Sequence, residues 1–184
     1  MSLVLGRPAP PWRISGWLNV TGEPSIASLR GRAVLVHAFQ MLCPGCVQHA
    51  LPQLLRVQGL FDPAELAVIG LHTVFEHHAA VGRLALEAFV QEYRLGFPIG
   101  IDEPAVDGPL PTTVRAWGLR GTPTLGLLDR GGVVRLHQFG AVPDLRLGAV
   151  IASALQRTAL VAGRSAPREG IGIWEVQGLS IQPD

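Results

Sequence analysis

The chain has 184 residues, of which 48% are hydrophobic and 16% charged, and its formal net charge is +1. A chain of this length and apolar content can bury a sizeable core and most simply forms one domain. All 15 basic residues are arginine and lie scattered among acidic ones, which argues against nucleic acid and anionic membranes as partners.

Neither a membrane span nor an export signal is predicted. Every apolar run is shorter than the roughly 18 residues that a spanning helix needs. Residues 1–8 are too short, and too soon interrupted by Gly6 and Pro8, to form a secretion signal. We therefore expect a cytoplasmic location for the chain as given, and a periplasmic one if a leader has been removed.

The amino-terminal third predicts a hairpin and then a buried strand. Residues 8–30 are rich in Pro, Gly and Trp and contain short alternating runs, which favour a small hairpin ahead of the main sheet. Residues 33–39 form a nearly continuous apolar run, typical of a strand that is buried on both faces. The chain's only two cysteines, Cys43 and Cys46, follow the end of this strand.

Two cysteines separated by Pro44 and Gly45 predict redox chemistry, because they can close a small disulfide ring. Residues 44–59 have largely helical apolar spacing, with Pro52 expected to kink the helix. The first turn of that helix offers free N–H groups and the positive end of its dipole to a thiolate at Cys43. We therefore assign Cys43 as the nucleophile and Cys46 as the resolving thiol.

The cysteine pair has two alternative uses, as metal ligands or as a structural disulfide. A structural zinc site with three or four cysteine ligands is excluded within one chain, because the chain holds only two cysteines. A permanent structural disulfide is a poor use of so short a loop, since closing it removes little entropy from the unfolded chain.

The remaining segments alternate between strand and helix patterns. The predicted strands are residues 65–72, 97–102, 123–128 and 133–139, and the predicted helices are residues 79–93, 112–117 and 144–160. Residues 129–132, Asp-Arg-Gly-Gly, indicate a hairpin between the last two strands. This order predicts an α/β fold with a mixed central sheet flanked by helices, and a site at the carboxyl end of the strand that precedes Cys43.

Two motifs give the chain a resemblance to a known family. With Cys43-Pro44-Gly45-Cys46 after a buried strand and Gly121-Thr122-Pro123-Thr124 before another, the chain resembles the thioredoxin superfamily over most of residues 8–160. Within it, the chain is similar to the thiol-disulfide oxidoreductases related to TlpA and ResA, which share a redoxin-type layout with peroxiredoxins. The supporting features are the hairpin ending in residues 29–36, the segment 97–102, and the wide interval between Cys46 and Pro123.

The resemblance implies a thioredoxin-like (redoxin) domain over residues 1–162, with an N-terminal hairpin and a central αβ insertion at about residues 65–93. Residues 163–184 would form a C-terminal tail that packs on the domain or on a partner subunit. The implied activity is thiol-disulfide exchange with a protein disulfide or dithiol through a mixed disulfide on Cys43. The implied redox group is the Cys43–Cys46 disulfide, with no other cofactor and no metal, while the electron donor and oligomeric state stay open.

The family's pattern also assigns roles around the cysteines. Pro123 resembles the cis-proline that lies against the active-site disulfide, and Thr122 would present its backbone to an extended substrate segment as an added strand. Pro44 and Gly45 complete the implied substrate-binding set. Their side chains offer no ionisable group to a Cys43 thiolate, which favours a reductant.

His37 lies where thioredoxins carry a buried acidic residue that moves the proton on and off the resolving thiol. A histidine suits this task, since its unperturbed pKa of about 6.5 lies near working pH. The alternative is a hydrogen-bonded core histidine with no kinetic role, and the sequence leaves both open.

Other histidines offer no clear site. His49 is expected to be a partly exposed helix residue near the place of a helical Glu in TlpA-like proteins. His72, His77 and His78, with Glu76 between them, could suggest a metal site. Adjacent His77 and His78 point to different faces of a helix or loop, which argues against a shared ion.

Two other functions use a similar pair of cysteines. A peroxiredoxin-like peroxidase would oxidise Cys43 to a sulfenic acid that Cys46 then resolves. However, Val36 and Gln40 occupy the Pro and Thr/Ser positions of the peroxiredoxin Pro-x-x-x-Thr/Ser-x-x-Cys motif. A Sco-like copper protein would bind Cu(I) through soft thiolates, but that group spaces its cysteines more widely, and Pro123 would crowd the metal.

Overall fold

The computed structural model describes residues 2–157. Its strands are β1 (Ile14–Leu18), β2 (Ala33–Phe39), β3 (Leu66–His72), β4 (Ile99–Asp102), β5 (Thr124–Leu128) and β6 (Val134–Phe139). Its α-helices are α1 (Leu51–Leu60), α2 (Arg83–Glu92), α3 (Thr112–Trp117) and α4 (Asp144–Gln156), and a π-helical turn, Cys46–Ala50, leads into α1. The predicted domain end at residue 162 and the tail at 163–184 lie outside the described residues.

The strands form one mixed six-stranded sheet in the order β1-β4-β3-β2-β5-β6. β2 pairs parallel with β3 and antiparallel with β5, and β3 pairs parallel with β4. The carboxyl ends of β2, β3 and β4 therefore share one end of the sheet with the start of β5. This topology brings the loop that contains Cys43 next to Pro123, as the carboxyl-end rule for such sheets predicts.

The central strands are apolar on both faces because each face is covered by its own core. Every residue of β2 and β3 is buried. One face of β2, including Leu35 and Phe39, packs in a core cluster with residues of α1, α2 and α4. The other face, including Val34 and Val36, packs with residues of α3 and of the amino-terminal segment. The predicted two-sided burial of residues 33–39 is confirmed, as is the mixed α/β fold.

The predicted amino-terminal hairpin is wrong. Residues 8–30 contain one strand, β1, whose antiparallel partner is the distant β4 rather than a neighbouring segment. Prolines 8, 10 and 11 lack the N–H donors that a second hairpin strand would need. After β1, Asn19 turns the chain at a φ of 58° and donates its side-chain amide to the carbonyl oxygens of Leu95 and Phe97.

A buried carboxylate ties the end of β4 to α3. Asp102 accepts hydrogen bonds from the backbone N–H groups of Thr113 (2.9 Å) and Val114 (3.2 Å) at the start of α3. The Thr73 hydroxyl, directly after β3, donates to the same carboxylate at 3.2 Å. Burial raises the pKa of Asp102, and these hydrogen bonds oppose that rise.

Within residues 2–157, no helix combines the length and the apolar character needed to cross a membrane.

Gly70 in β3 is closely packed on three sides by buried side chains. A Cβ there would lie 3.1 Å from both Ile99 Cγ1 and Phe97 Cε2, and 3.2 Å from Phe39 Cε1. We expect Gly70→Ala to lower the free energy of unfolding by about 1–3 kcal/mol, since overpacking forces these side chains from their rotamers. Urea unfolding measures the change.

Gly59→Ala in α1 is the matched control. A Cβ at Gly59 meets nothing within 4 Å, so alanine there should be neutral or stabilise the helix by up to about 1 kcal/mol. An unchanged urea midpoint for Gly70→Ala would show that the ring of Phe39 has room to move.

Candidate active site

The two cysteines lie together just past β2. Both are free thiols, with their Sγ atoms 2.6 Å apart. The Cys43 sulfur also accepts a hydrogen bond from the Cys46 backbone N–H at 3.3 Å. Cys43 is half-buried, whereas Cys46 is 0% exposed and belongs to the core cluster. A partner sulfur can therefore reach Cys43 but not Cys46.

The local backbone explains how the pair is held. The Cys43 carbonyl oxygen accepts the N–H groups of Cys46 (3.0 Å) and Val47 (3.1 Å), which begins the helical turn. Residues Cys46–Ala50 form a wider, π-helical turn that leads into α1. Pro52 has no N–H and cannot close the usual bond to Gln48, so the expected break falls in this turn.

Burial makes Cys46 a poor acid. Loss of hydration, with a smaller contribution from the hydrogen bond to Cys43, raises the pKa of the Cys46 thiol to about 12. At neutral pH Cys46 is therefore protonated. It becomes a nucleophile only when a neighbouring group removes its proton or the local charge changes.

Thr122 and Pro123 close over the pair from the start of β5. The Thr122–Pro123 peptide bond is cis. The Cys43 thiol donates to the Thr122 carbonyl oxygen at 3.5 Å. On the opposite side, a Cβ on Gly45 would lie only 3.3 Å from Pro123 Cδ, so the absence of a side chain at residue 45 lets the proline ring approach the cysteine loop. The structure thus brings together six residues that the two motifs single out: Cys43, Pro44, Gly45, Cys46, Thr122 and Pro123. Pro44 is exposed and borders the same opening as Cys43.

His37 lies on β2, on the same face of the strand as Leu35 and Phe39. Its side chain therefore faces the core cluster that contains Cys46. Its side chain is 0% exposed, and neither ring nitrogen makes a well-formed hydrogen bond. Burial lowers the pKa of His37 to about 4, so the imidazole is neutral at neutral pH. A contribution from the Thr124 backbone, on the neighbouring strand β5, acts against this lowering. The proton-transfer role and the alternative of a hydrogen-bonded core histidine both stay predictions.

His72 is the second buried histidine of this core. It lies opposite Phe39 in the β2–β3 register, with the two ring centroids 5.4 Å apart. Both of its ring nitrogens lack partners, and burial lowers its pKa to about 4. His49, His77 and His78 are exposed. Within residues 2–157, no three His, Cys, Asp or Glu side chains converge where they could hold a metal ion.

A cavity of about 330 Å³ opens beside Cys43. We call it the Cys43 cavity. Its walls come from the cysteine loop, the loop after β3, the segment before β5 and the end of β6. The residues that line it include Leu42, Cys43, Phe75, Glu76, Arg120 and Phe139.

Comparison with solved structures decides the family. A crystal structure of a thioredoxin-like superfamily protein shares 47% sequence identity and a TM-score of 0.81, covering 83% of this chain and 98% of that one. A thiol-disulfide isomerase from Corynebacterium glutamicum shares 40% identity and a TM-score of 0.78, covering 82% and 97%. The chain belongs to the thioredoxin-like superfamily. A scan against protein-family models finds no match.

Curated relatives of this thioredoxin-like chain agree. The thiol-disulfide oxidoreductase ResA of Halalkalibacterium halodurans is 26% identical over 129 residues, covering 69% of this chain and 66% of ResA. Protein DipZ of Mycobacterium tuberculosis is 32% identical over 130 residues. The chain spans 17% of the length of DipZ. The resemblance to ResA-like and TlpA-like proteins is confirmed, and the names of the relatives support a redox enzyme of the protein-disulfide type.

Sequence reasoning missed part of this thioredoxin-like site. In the sequence, Gln40 stands out only as a departure from the peroxiredoxin motif, yet in the structure it joins two loops. Its carbonyl oxygen accepts the Cys43 N–H at 3.2 Å, and its buried side-chain oxygen accepts the Phe75 N–H at 3.3 Å. A polar residue directly after an apolar strand was the available signal. Arg120 and Phe139 gave none, because only the fold brings them to Cys43.

Proposed function

We propose that this chain reduces disulfides in a protein partner through a mixed disulfide on Cys43. The observation that carries the proposal is the asymmetry of the thiol pair: Cys43 borders an open cavity, whereas Cys46 is buried 2.6 Å behind it. The accessible sulfur makes the bimolecular attack, and the covered sulfur acts only within the resulting complex.

The chemistry has two exchange steps. The Cys43 thiolate attacks one sulfur of the partner's disulfide, and the partner's other sulfur leaves as a thiolate. The Cys46 thiolate then attacks Cys43 Sγ, which forms the Cys43–Cys46 disulfide and releases the first sulfur as a second thiolate. Two electrons pass from the cysteine pair to the partner. An external dithiol returns the pair to the reduced form, and the two thiols need no further cofactor.

The second step requires the Cys46 proton to leave. Part of the rise in the pKa of Cys46 comes from Cys43, through a hydrogen bond and through charge. Both effects end when Cys43 is bonded to the partner, so the mixed disulfide itself makes Cys46 more acidic. We propose that neutral His37, which faces the same core, accepts this proton transiently at its unprotonated ring nitrogen. Burial lowers the pKa of His37 to about 4, which makes it a weak base, so the pKa near working pH that the sequence suggests does not hold for the folded chain.

The direction of electron flow follows from the intervening dipeptide. Strongly oxidising pairs owe their potential to stabilisation of the reduced form. Pro44 and Gly45 offer no ionisable side chain for that purpose.

The partner's cysteine segment would lie extended along Thr122 and Pro123, pairing with the Thr122 backbone as an added strand.

Equilibration in glutathione buffers tests the proposal, with the oxidised fraction read by differential alkylation and intact mass. We expect one reversible two-electron transition with a midpoint between about −270 and −200 mV. A midpoint near −120 mV would reverse the proposed direction. Failure of Cys43 and Cys46 to form an intramolecular disulfide would overturn the mechanism.

Peroxide consumption by the same preparation separates the peroxidase alternative. We expect no turnover of hydrogen peroxide above the rate of a free thiol. Rapid turnover that depends on Cys43 would place the first oxidation at a sulfenic acid and assign the chain to peroxide reduction.

A further inference from the structure

The Cys43 cavity carries two charged side chains that are free to bind. Arg120 and Glu76 are both exposed and line the cavity. Within residues 2–157, neither forms an ion pair, whereas Arg115, on the neighbouring helix α3, pairs with Asp107 at 2.9 Å. A cation and an anion thus share one cavity with the nucleophile without neutralising each other.

Aromatic packing gives Arg120 a defined place. Its guanidinium carbon lies 6.0 Å from the centroid of the Phe139 ring, at the edge of cation–π range. Phe139 is itself 46% exposed at the mouth of the cavity, and Leu42, next to Cys43, is 58% exposed. The rim therefore offers apolar contact, and the charge of Arg120 lies against it.

Any partner sulfur bonded to Cys43 lies at this cavity, so the residues that flank the partner's cysteine contact its walls. About 330 Å³ accommodates one or two side chains rather than a folded element. Opposite charges on the walls attract opposite charges on the partner, and each attraction is modest and screened because both groups are exposed.

We propose, on the basis of the function proposed above, that Arg120 and Glu76 select the substrate. The preferred partner carries an acidic residue on the side of its reacting cysteine that meets Arg120, and a basic residue on the side that meets Glu76. The substrate class is a cysteine segment with opposite charges flanking the disulfide-bonded cysteine.

Five symmetric peptide disulfides test the proposal. Each is a dimer of one short peptide that is joined through its single cysteine. The residues directly before and after that cysteine are Asp and Lys, Lys and Asp, Asp and Asp, Lys and Lys, or Ser and Ser. Reduction by the full chain is measured as kcat/KM at low salt and at about 0.5 M salt, where charges are screened within a few ångströms. Each value is divided by the rate of the same peptide with dithiothreitol, which removes the flanks' effect on intrinsic reactivity.

We expect one of the two mixed-charge orders to exceed the Ser/Ser peptide by about three- to tenfold at low salt, with the advantage lost at high salt. Arg120→Gln should abolish the advantage of the acidic flank, and Glu76→Gln that of the basic flank. Arg115→Gln, the matched control, should keep the wild-type order. Thermal unfolding of each variant checks that it is folded.

The two proposals fail in different ways. Equal normalised rates for all five peptides, or a preference that survives both Arg120→Gln and Glu76→Gln, would overturn the charge selection. Failure of the wild-type chain to reduce even the Ser/Ser peptide would instead overturn the proposed reductase function.

Discussion

Cys46→Ser is expected to stop the reaction at the mixed disulfide and to accumulate a covalent complex with the partner. Cys43 remains accessible and attacks as before, but no second sulfur stands 2.6 Å away to release the partner. Loss of this intramolecular step should lower turnover at least about 1,000-fold, because a solution thiol must replace a neighbour of high effective concentration. Intact mass under non-reducing conditions detects the complex.

Cys43→Ser is the matched variant for this prediction. It should form no complex and show no turnover, since the remaining Cys46 is buried. A covalent complex on Cys46 in the Cys43→Ser variant, with turnover retained in Cys46→Ser, would exchange the two assigned roles.

The second large effect is acid destabilisation through the two buried histidines. The pKa of His37 and that of His72 are each about 4 in the native state, against an ordinary value of 6.5. The unfolded chain therefore binds more protons below pH 6.5, and stability falls as the pH drops from about 6.5 to about 4. Each histidine accounts for about 3 kcal/mol of this loss, a large share of the 5–15 kcal/mol typical of a domain.

Leucine substitutions separate stability from proton transfer. His37→Leu and His72→Leu should each remove about half of the acid loss and should stabilise the protein by about 1–2 kcal/mol at pH 7, because each removes unpaired buried nitrogens. Urea unfolding at pH 7 and pH 4.5 measures both effects. A pH-independent free energy of unfolding in the wild type would show that the imidazoles find partners or water.

Only one of these variants should slow the chemistry. If His37 accepts the proton of Cys46, His37→Leu slows release of the partner from a preformed mixed disulfide by about 100-fold. His72 is also buried, has a similarly lowered pKa and lies on the neighbouring strand. His72→Leu should therefore leave the rate of partner release unchanged. Equal rates of release in both variants would make His37 a structural residue.

Local patterns predicted the centre of this fold well. The run at residues 33–39 coincides with β2, and the helix at 112–117 coincides with α3. The hairpin around residues 129–132 is also present as β5 and β6. In each case the signal lies in adjacent residues: an unbroken apolar run, a helical repeat, or a glycine-rich turn.

Features that depend on distant pairing were not predictable from such signals. The partner of β1 is β4, which lies far along the chain, whereas the alternating run near the amino terminus predicts pairing with a neighbouring segment in a hairpin. The predicted helix at residues 79–93 starts only at Arg83. Gln40, Arg120 and Phe139 reach Cys43 from three different segments, and no spacing rule connects them.

The close approach of Gly45 to Pro123 limits how this enzyme can be retuned. The residue before the resolving cysteine is a natural place to alter the redox potential, because a side chain there can stabilise or destabilise the thiolate. The Cβ of any such side chain would lie 3.3 Å from Pro123 Cδ, so the proline ring would have to shift by a few tenths of an ångström. A substitution at position 45 that alters the driving force therefore also moves Pro123, which the proposed substrate segment would contact.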